Sequence, residues 1–244
     1  MDAATALRLS QINRDFYIHF GAPFSATRHR IQPGVQRVLG RLQGGESILD
    51  LGCGNGELAR ALAKRGQHGP YLGLDFSPPL LQDAELQPGG FSAKFMEADV
   101  TQLPVIREQL SVDGQWSLIT AFAVLHHIPS NEIRLAILQT ARGLLAENGT
   151  FILSNWQFLN SEKLRGRIQD WSRVGLSQSE VDPGDYLLDW RSGGEGLRYV
   201  HQFNETELAS LAEAAGFDIV ETFYSDGESG NLSLYQIWKI APTH

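Results

Sequence analysis

Between residues 46 and 155 the chain alternates short apolar runs with stretches of helical period, and this restricts its folding more than any other feature. Ser47–Leu51 (SILDL) reads as a buried strand ending at a glycine-rich turn. Glu57–Arg65 follows as a helix with Leu58, Ala61 and Leu62 on one face, stopped at Gly66. Tyr71–Asp75 is the next strand, and Ser77 caps a helix whose first turn carries Pro78 and Pro79. Strands near Ala93–Met96 and Trp116–Ala123 come next, then a helix from Ser130 to about Ala146. Asn148-Gly149 turns the chain into a strand over Thr150–Ser154. Strands separated by helices of this length pair in parallel through right-handed crossovers, with helices on both faces of the sheet.

Two flanks lie outside this core. Residues 1–45 read as a helical cap, with Val35, Val38, Leu39 and Leu42 forming a stripe after Pro33. Residues 157–200 read as an irregular, polar, glycine-bearing lid over the strand ends. In residues 201–244, Asn204 and Glu207 form a capping box for a helix ended by Gly216. Phe217–Tyr224 and Leu232–Ile240 are two strands joined closely enough to be antiparallel to each other. The 244 residues therefore suit one elaborated domain, large enough to bury roughly 70–75% of its unfolded surface without a staple.

The formal net charge of −8 argues against a stand-alone, non-specific nucleic-acid binder, whose affinity comes from neutralising phosphates. Cys53 is the only cysteine, so no intramolecular disulfide and no Cys-rich zinc site can form, and a reducing cytoplasmic compartment is the natural one. No His/Asp/Glu cluster has metal-ligand spacing, so no metal is expected. MDAATALRLS lacks the basic start and apolar centre of a secretory signal, and no run approaches the ~20 apolar residues of a membrane span.

The strongest local signal is Asp50-Leu-Gly52-Cys-Gly54-Asn-Gly56, at the first strand-to-helix junction. Glycines there let the backbone turn tightly and approach a ligand. A nicotinamide-binding loop would have its third glycine at position 57, which here is Glu57, and the acid before the loop suits a cationic ligand better than a pyrophosphate. Asp75, ending the second strand, stands where a carboxylate accepts from both hydroxyls of a ribose. Asp99, after the third strand, is placed to accept from an exocyclic adenine amine. A ribose, an adenine and a positive charge read together describe S-adenosylmethionine.

ILDLGCGNG, YLGLDFS, EADVTQLP and FAVLHHIP, in this order, resemble the class I S-adenosylmethionine-dependent methyltransferases over roughly residues 46–155. The resemblance implies a Rossmann-like α/β fold, with a seven-stranded, mostly parallel sheet, one reversed strand, and helices on both faces. It implies that Asp50, Gly52, Gly54 and Gly56 surround the methionine part, that Asp75 holds the ribose, and that Phe76, Asp99 and Val100 hold the adenine. Phe122 would close the site. Ser117 departs from the Asp that often starts the fourth strand.

The flanking segments FSATRHRIQPGVQRVL, GDYLLDW, RYVHQFNETEL and GNLSLYQIW are similar to the tRNA wobble-uridine carboxymethyl methyltransferases. That resemblance implies methyl-ester formation on 5-carboxymethyluridine of tRNA, in several members with a small zinc-binding activator subunit. The chemistry suits the residues, because a carboxylate is ionised at neutral pH and needs orientation and water exclusion rather than a base. Arg28 is the first candidate for a bidentate clamp. His126 and His127 follow the fourth strand where acceptors enter, one of them in the site and the other packing or capping the next turn. Arg198 and His201 match the downstream motif, Arg198 standing equally well as a structural ion pair. Lys163, Arg165, Arg167 and Arg173 are interleaved with Glu162 and Asp170, which reads as a solvated helix, and Trp156 and Trp171 read as packing or as stacking surfaces for a base.

No cysteine is placed to attack a pyrimidine, and Ala123-Val-Leu-His-His replaces the (D/N)PP(Y/F) tetrapeptide of base amino-group methylation. The alternatives are a small-molecule O- or N-methyltransferase and a non-catalytic cofactor-binding partner protein. A nicotinamide-dependent oxidoreductase is disfavoured by Glu57.

Overall fold

A computed structural model describes residues 1–26, 30–86, 92–110, 115–191 and 194–242. Helix α1 spans Ala3–Ser25, with Asp2 Oδ1 accepting from the Thr5 backbone N–H at 2.7 Å at its start, and α2 spans Pro33–Leu39. The core then runs β1 (Ile48–Leu51), α3 (Glu57–Lys64), β2 (Tyr71–Asp75), α4 (Pro78–Glu85), β3 (Ala93–Glu97) and the short α5 (Leu103–Ile106). It continues through β4 (Trp116–Phe122), α6 (Asn131–Leu144) and β5 (Leu145–Trp156). A short α7 (Glu162–Arg165) precedes β6 (Ile168–Gln169), β7 (Asp185–Trp190) and β8 (Gly196–His201). Helix α8 (Glu205–Ala214) leads to β9 (Phe217–Ser225) and β10 (Ser233–Ile240).

The seven-stranded sheet has the order β3-β2-β1-β4-β5-β10-β9, with β10 antiparallel to both neighbours and therefore the one reversed strand. Strand β1 pairs in parallel with β2 on one side and β4 on the other. The chain winds outward from β1 to β3 and then returns to β4, which opens a crevice at the carboxyl ends of β1 and β4. Alternate residues feed cores on opposite faces. Leu49, Leu51, Ile119 and Phe151 pack with α6 and α8, while Ile48, Tyr71, Leu118 and Ile152 pack with α2 and α3.

The capping expectations hold in part. Ser77 stands at the N-cap of α4, but its hydroxyl accepts no N–H of that helix and instead donates to the Tyr17 carbonyl at 3.2 Å. Asn204 caps α8, whereas Glu207 turns its carboxylate to His201 and does not complete the box. The Asn148-Gly149 turn is an excursion inside β5, where the register with β4 shifts between Trp116↔Leu145 and Leu118↔Thr150.

The larger correction concerns residues 157–200. They contain a second, antiparallel sheet of order β6-β7-β8, and its residues Leu187 and Tyr199 are buried with Leu9 of α1 and with Trp171, Leu176 and Val181. Both faces of β7 and β8 bury side chains, so the period-2 alternation of a half-exposed strand is missing from the sequence. Helix α1 is sandwiched between this small sheet and α4, where a Cβ at Gly21 would lie 3.1 Å from Ser77 Oγ and 3.3 Å from Pro79 Cβ. It thereby crosses the mouth of the crevice. None of the described helices is long and apolar enough to span a membrane.

Candidate functional site

The crevice is a cavity of about 350 Å³, inside the usual size range for small-ligand sites. The glycine loop forms one wall. Gly52, Gly54 and Gly56 have φ of 71°, 55° and 77°, a region costly for residues with a Cβ. A Cβ at Gly52 would come within 2.5 Å of Val124 Cγ2, while one at Gly54 would meet nothing within 4 Å. The loop is thus tight against the protein on one side and open on the ligand side.

Two carboxylates sit under and beside it. Asp50 Oδ1 accepts from Thr120 Oγ1 at 2.7 Å and Oδ2 from Tyr71 Oη at 2.6 Å, so this acid braces β1 against β2 and β4 from beneath the loop. Asp75 Oδ2 accepts from the Gly54 N–H and Oδ1 from the Ser77 N–H, both at 2.9 Å, fixing the loop's position. Burial pushes the pKa of each up to about 6 despite these donors. Cys53 is buried in the loop, and burial also raises its thiol pKa.

Phe76, Val100 and Phe122 line the same cavity. Asp99 Oδ1 accepts from the Thr101 N–H and hydroxyl at 2.9 and 2.7 Å, and Oδ2 pairs with Arg14 at 3.3 Å. The Arg14 guanidinium stands 5.7 Å from the Phe76 ring centre. Of the residues expected around a sulfonium nucleoside, Asp50, Gly52, Gly54, Asp75, Phe76, Asp99, Val100 and Phe122 border one cavity, whereas Gly56 does not line it; the donor set fits that group: an open loop, a buried acid at each of two neighbouring strand tips, and an aromatic ring.

The opposite wall comes from distant parts of the chain. Its contributors include Asn13 and Tyr17 of α1, His126 and His127 after β4, Trp156 at the end of β5, and Arg198 of β8. Asn13 Oδ1 accepts from the Tyr199 N–H at 2.8 Å, and its amide donates to the His127 carbonyl at 2.9 Å and the Tyr199 carbonyl at 3.1 Å. One side chain thus pins α1 to two elements of the site. His127 Nδ1 lies 3.2 Å from the Tyr199 carbonyl and Nε2 lies 3.0 Å from Tyr17 Oη. His126 accepts the Trp156 N–H at Nδ1, 3.2 Å away. Burial, with His127 and Arg198 close by, holds the His126 pKa well below its ordinary value, so its ring is neutral. Arg198 is only 4% exposed, and its guanidinium centre lies 4.9, 5.5 and 5.6 Å from the rings of Trp156, Phe16 and Trp190.

His201 does not reach the cavity. Its ring is buried between Asp185 (2.6 Å from Nδ1) and Glu207 (2.9 Å from Nε2), because side chains alternate along β8 and only Arg198 faces the crevice wall. Tyr199 Oη donates to the same Asp185 oxygen at 2.7 Å and accepts from Arg134 at 2.9 Å. Arg28 lies outside the described residues. Its neighbour Arg30 borders the cavity, as do Asp226 and Tyr235 at the far end, with Tyr235 Oη donating to Asp226 at 2.7 Å. Trp171 belongs to the packing under α1. Sequence reasoning missed Asn13, Arg14 and Tyr17, although their i, i+1, i+4 spacing on a helix puts them on one polar face.

A profile of the methyltransferase domain family matches residues 24–222. A protein of Encephalitozoon cuniculi (strain GB-M1), itself named only provisionally as a methyltransferase, is 28% identical over 207 residues, 84% of this chain and 87% of its own length. A SAM-dependent methyltransferase from Methanosarcina mazei superposes with a TM-score of 0.63 at 22% identity, over 87% of this chain and 99% of its own. Magnesium protoporphyrin IX methyltransferase from Synechocystis PCC 6803, solved with bound SAH, superposes with a TM-score of 0.56 at 21% identity, over 92% of this chain and 85% of its own.

Proposed function

The chain belongs to the methyltransferase domain family and is an S-adenosylmethionine-dependent methyltransferase of Rossmann-like fold, and on that premise we propose that it methylates a carboxylate. The observation that carries this reading is Arg198, a nearly buried cation on the acceptor wall of the crevice that also holds the glycine loop and Asp75. A guanidinium withdrawn from water is stabilised by a planar anion that takes its donors two at a time. The rings of Phe16, Trp156 and Trp190 fix its direction.

The cofactor, when bound, supplies an electrophilic methyl group. Gly52, Gly54, Gly56 and Asp50 are read as the methionine subsite, Asp75 as the ribose acceptor, and Phe76, Asp99 and Val100 as the adenine subsite, with Phe122 closing the floor. Arg198 orients the acceptor carboxylate, whose oxygen is the nucleophile without any proton transfer. Helix α1, held by Asn13, keeps water off that anion.

The acceptor in the primary reading is a small carboxylic acid, because a surface with net charge −8 repels polyanions. Carboxymethyluridine of tRNA is the second reading, favoured by Trp156, which offers a ring face for a base beside the same cation. It requires an activator subunit to supply phosphate contacts. Incubation with methyl-labelled cofactor tests both: base-labile label in a pool of small acids supports the first, and base-labile label in tRNA nucleosides supports the second. Absence of ester in both pools overturns carboxylate methylation.

A further inference from the structure

We infer that His201 is a positioning residue for the crevice: its ring carries a hydrogen on each nitrogen, balances two buried carboxylates and, through Tyr199, fixes the wall opposite the glycine loop. This holds whatever the methyl acceptor is.

The His201 ring is 1% exposed, with Nδ1 2.6 Å from Asp185 Oδ1 and Nε2 2.9 Å from Glu207 Oε1. An ionised carboxylate oxygen only accepts, and a ring nitrogen donates only when it carries a hydrogen. Two such partners call for a hydrogen on both nitrogens, which makes the ring an imidazolium. Charge balance leads to the same state. Asp185 and Glu207 share one guanidinium, that of Arg134, whose Nη1 is 3.7 Å from Glu207 Oε1. With a neutral ring the cluster would hold one negative charge in surplus, although Asp185 and Arg134 are only 3% and 1% exposed. The charged ring cancels it. Phe203 favours cations on either side, its ring centre lying 4.6 Å from that of His201 and 4.8 Å from the Arg134 guanidinium. A Cβ at Gly184 would come within 2.9 Å of His201 Cε1, so the imidazole is closely confined on that side too. His126, after β4, is kept neutral by burial first, then by His127 and Arg198, and the His201 charge acts in the same direction.

None of Asp185, Glu207, Arg134, Tyr199 and His201 borders the cavity, yet the cluster reaches it by two routes. The Asp185 oxygen that faces His201 also accepts from Tyr199 Oη at 2.7 Å, and Tyr199 Oη accepts from Arg134 Nη2 at 2.9 Å. The phenol end of Tyr199 is thereby fixed. Strand β8 is an edge of the small sheet, so the outward N–H and C=O of Tyr199 are left to other partners. Asn13 takes both, and His127 Nδ1 lies 3.2 Å from the same carbonyl. In the second route Arg134 Nε donates to the Ile128 carbonyl at 2.8 Å, at the end of the turn that carries His126 and His127. Loss of the ring's charge would leave Asp185 and Glu207 in excess over Arg134, and Tyr199 would lose the fixed acceptor that aligns it.

The full-length protein tests this without any methyl acceptor, as wild type, His201→Gln, Glu207→Gln and the double variant. In ¹⁵N spectra at neutral pH the wild-type His201 ring should show two pyrrole-type nitrogens. Glu207→Gln removes one carboxylate and supplies a donor, so one nitrogen should turn pyridine-type. A pyridine-type nitrogen in the wild type overturns the inference, as does an unchanged ring in Glu207→Gln. His127 ring signals should shift in His201→Gln and return in the double variant, where Asp185 and Arg134 again balance. Unmoved His127 signals overturn the link to the crevice. Hydrogen exchange separates positioning from plain stability. In His201→Gln the Tyr199 N–H, which Asn13 accepts, should exchange about thirtyfold faster, with β1 amides changed by less than about threefold. The double variant should bring Tyr199 back to within about threefold of the wild type. Equal acceleration in β1 and β8, or a double variant no slower than the single one, overturns the inference. Should His201→Gln fail to fold, the wild-type and Glu207→Gln spectra decide.

Discussion

The two halves of the crevice are built by different means. The cofactor half is assembled from tips of adjacent parallel strands, with Asp75 holding Gly54 and Asp50 bracing Tyr71 and Thr120. Each of its parts lies within a few residues of a strand end, so the sheet alone places it. The acceptor half gathers Asn13, Tyr17, His127, Trp156 and Arg198 from α1, the turn after β4, the end of β5, and a separate small sheet. Its geometry depends on how α1 is clamped. A methyl-donor site can thus be inherited with the sheet, while the acceptor site changes with whatever packs over it.

Four measurements would break or sharpen that contrast. The largest effect is expected from Asp75→Ala, which removes the acceptor of the Gly54 and Ser77 N–H groups and the proposed ribose contact. Calorimetry should show cofactor affinity reduced about a hundredfold or more, a loss of roughly 3 kcal/mol. Equal affinity in the wild type and the variant would detach Asp75 from the cofactor half. Arg198→Leu should lose about 2–3 kcal/mol of acceptor recognition, a factor of roughly 30–150 in kcat/KM, with cofactor affinity changed by less than about threefold. Comparable losses on both sides would mean that the two halves are one unit.

The third measurement is a pH titration of cofactor binding. Asp75 has a pKa of about 6, so lowering the pH from 7 to 5 should weaken binding about tenfold as the carboxylate takes a proton. The stability contribution has the opposite sign. The folded pKa of this group is above its unfolded value, so the folded state gains relative stability as pH falls from neutral through about 6. Flat binding between pH 5 and 7 would mean that the ionised form is not what the ligand contacts. The smallest effect is expected from Arg14→Ala. Its pair with Asp99 joins partly exposed side chains, so cofactor affinity should fall by no more than about fivefold, or 1 kcal/mol. A larger loss would make α1 part of the cofactor half.

The same contrast explains what could be read in advance. Strand β1, the loop to Gly56, Asp75 and the Ser130-capped helix α6 are short-range patterns, and all lie within one or two residues of their expected places. Residues 157–200 escaped because β7 and β8 are buried on both faces and have no alternating pattern. His201 looked equivalent to Arg198 because both sit in one short motif. The pleat of β8, and the carboxylates of Asp185 and Glu207 beneath it, separate them. Tyr17 shares a helix face with Asn13, but nothing near it in sequence announces its contact with His127.

Local chemistry along the chain determined the strand-and-helix alternation, the glycine bend and the acids beside it, because backbone conformation and period depend on neighbours a few residues away. Which side chains face the methyl acceptor was decided only in three dimensions. Helix α1 is held against β8 and the turn after β4 by the amide of Asn13, and contacts between segments more than a hundred residues apart leave no periodic trace in either one.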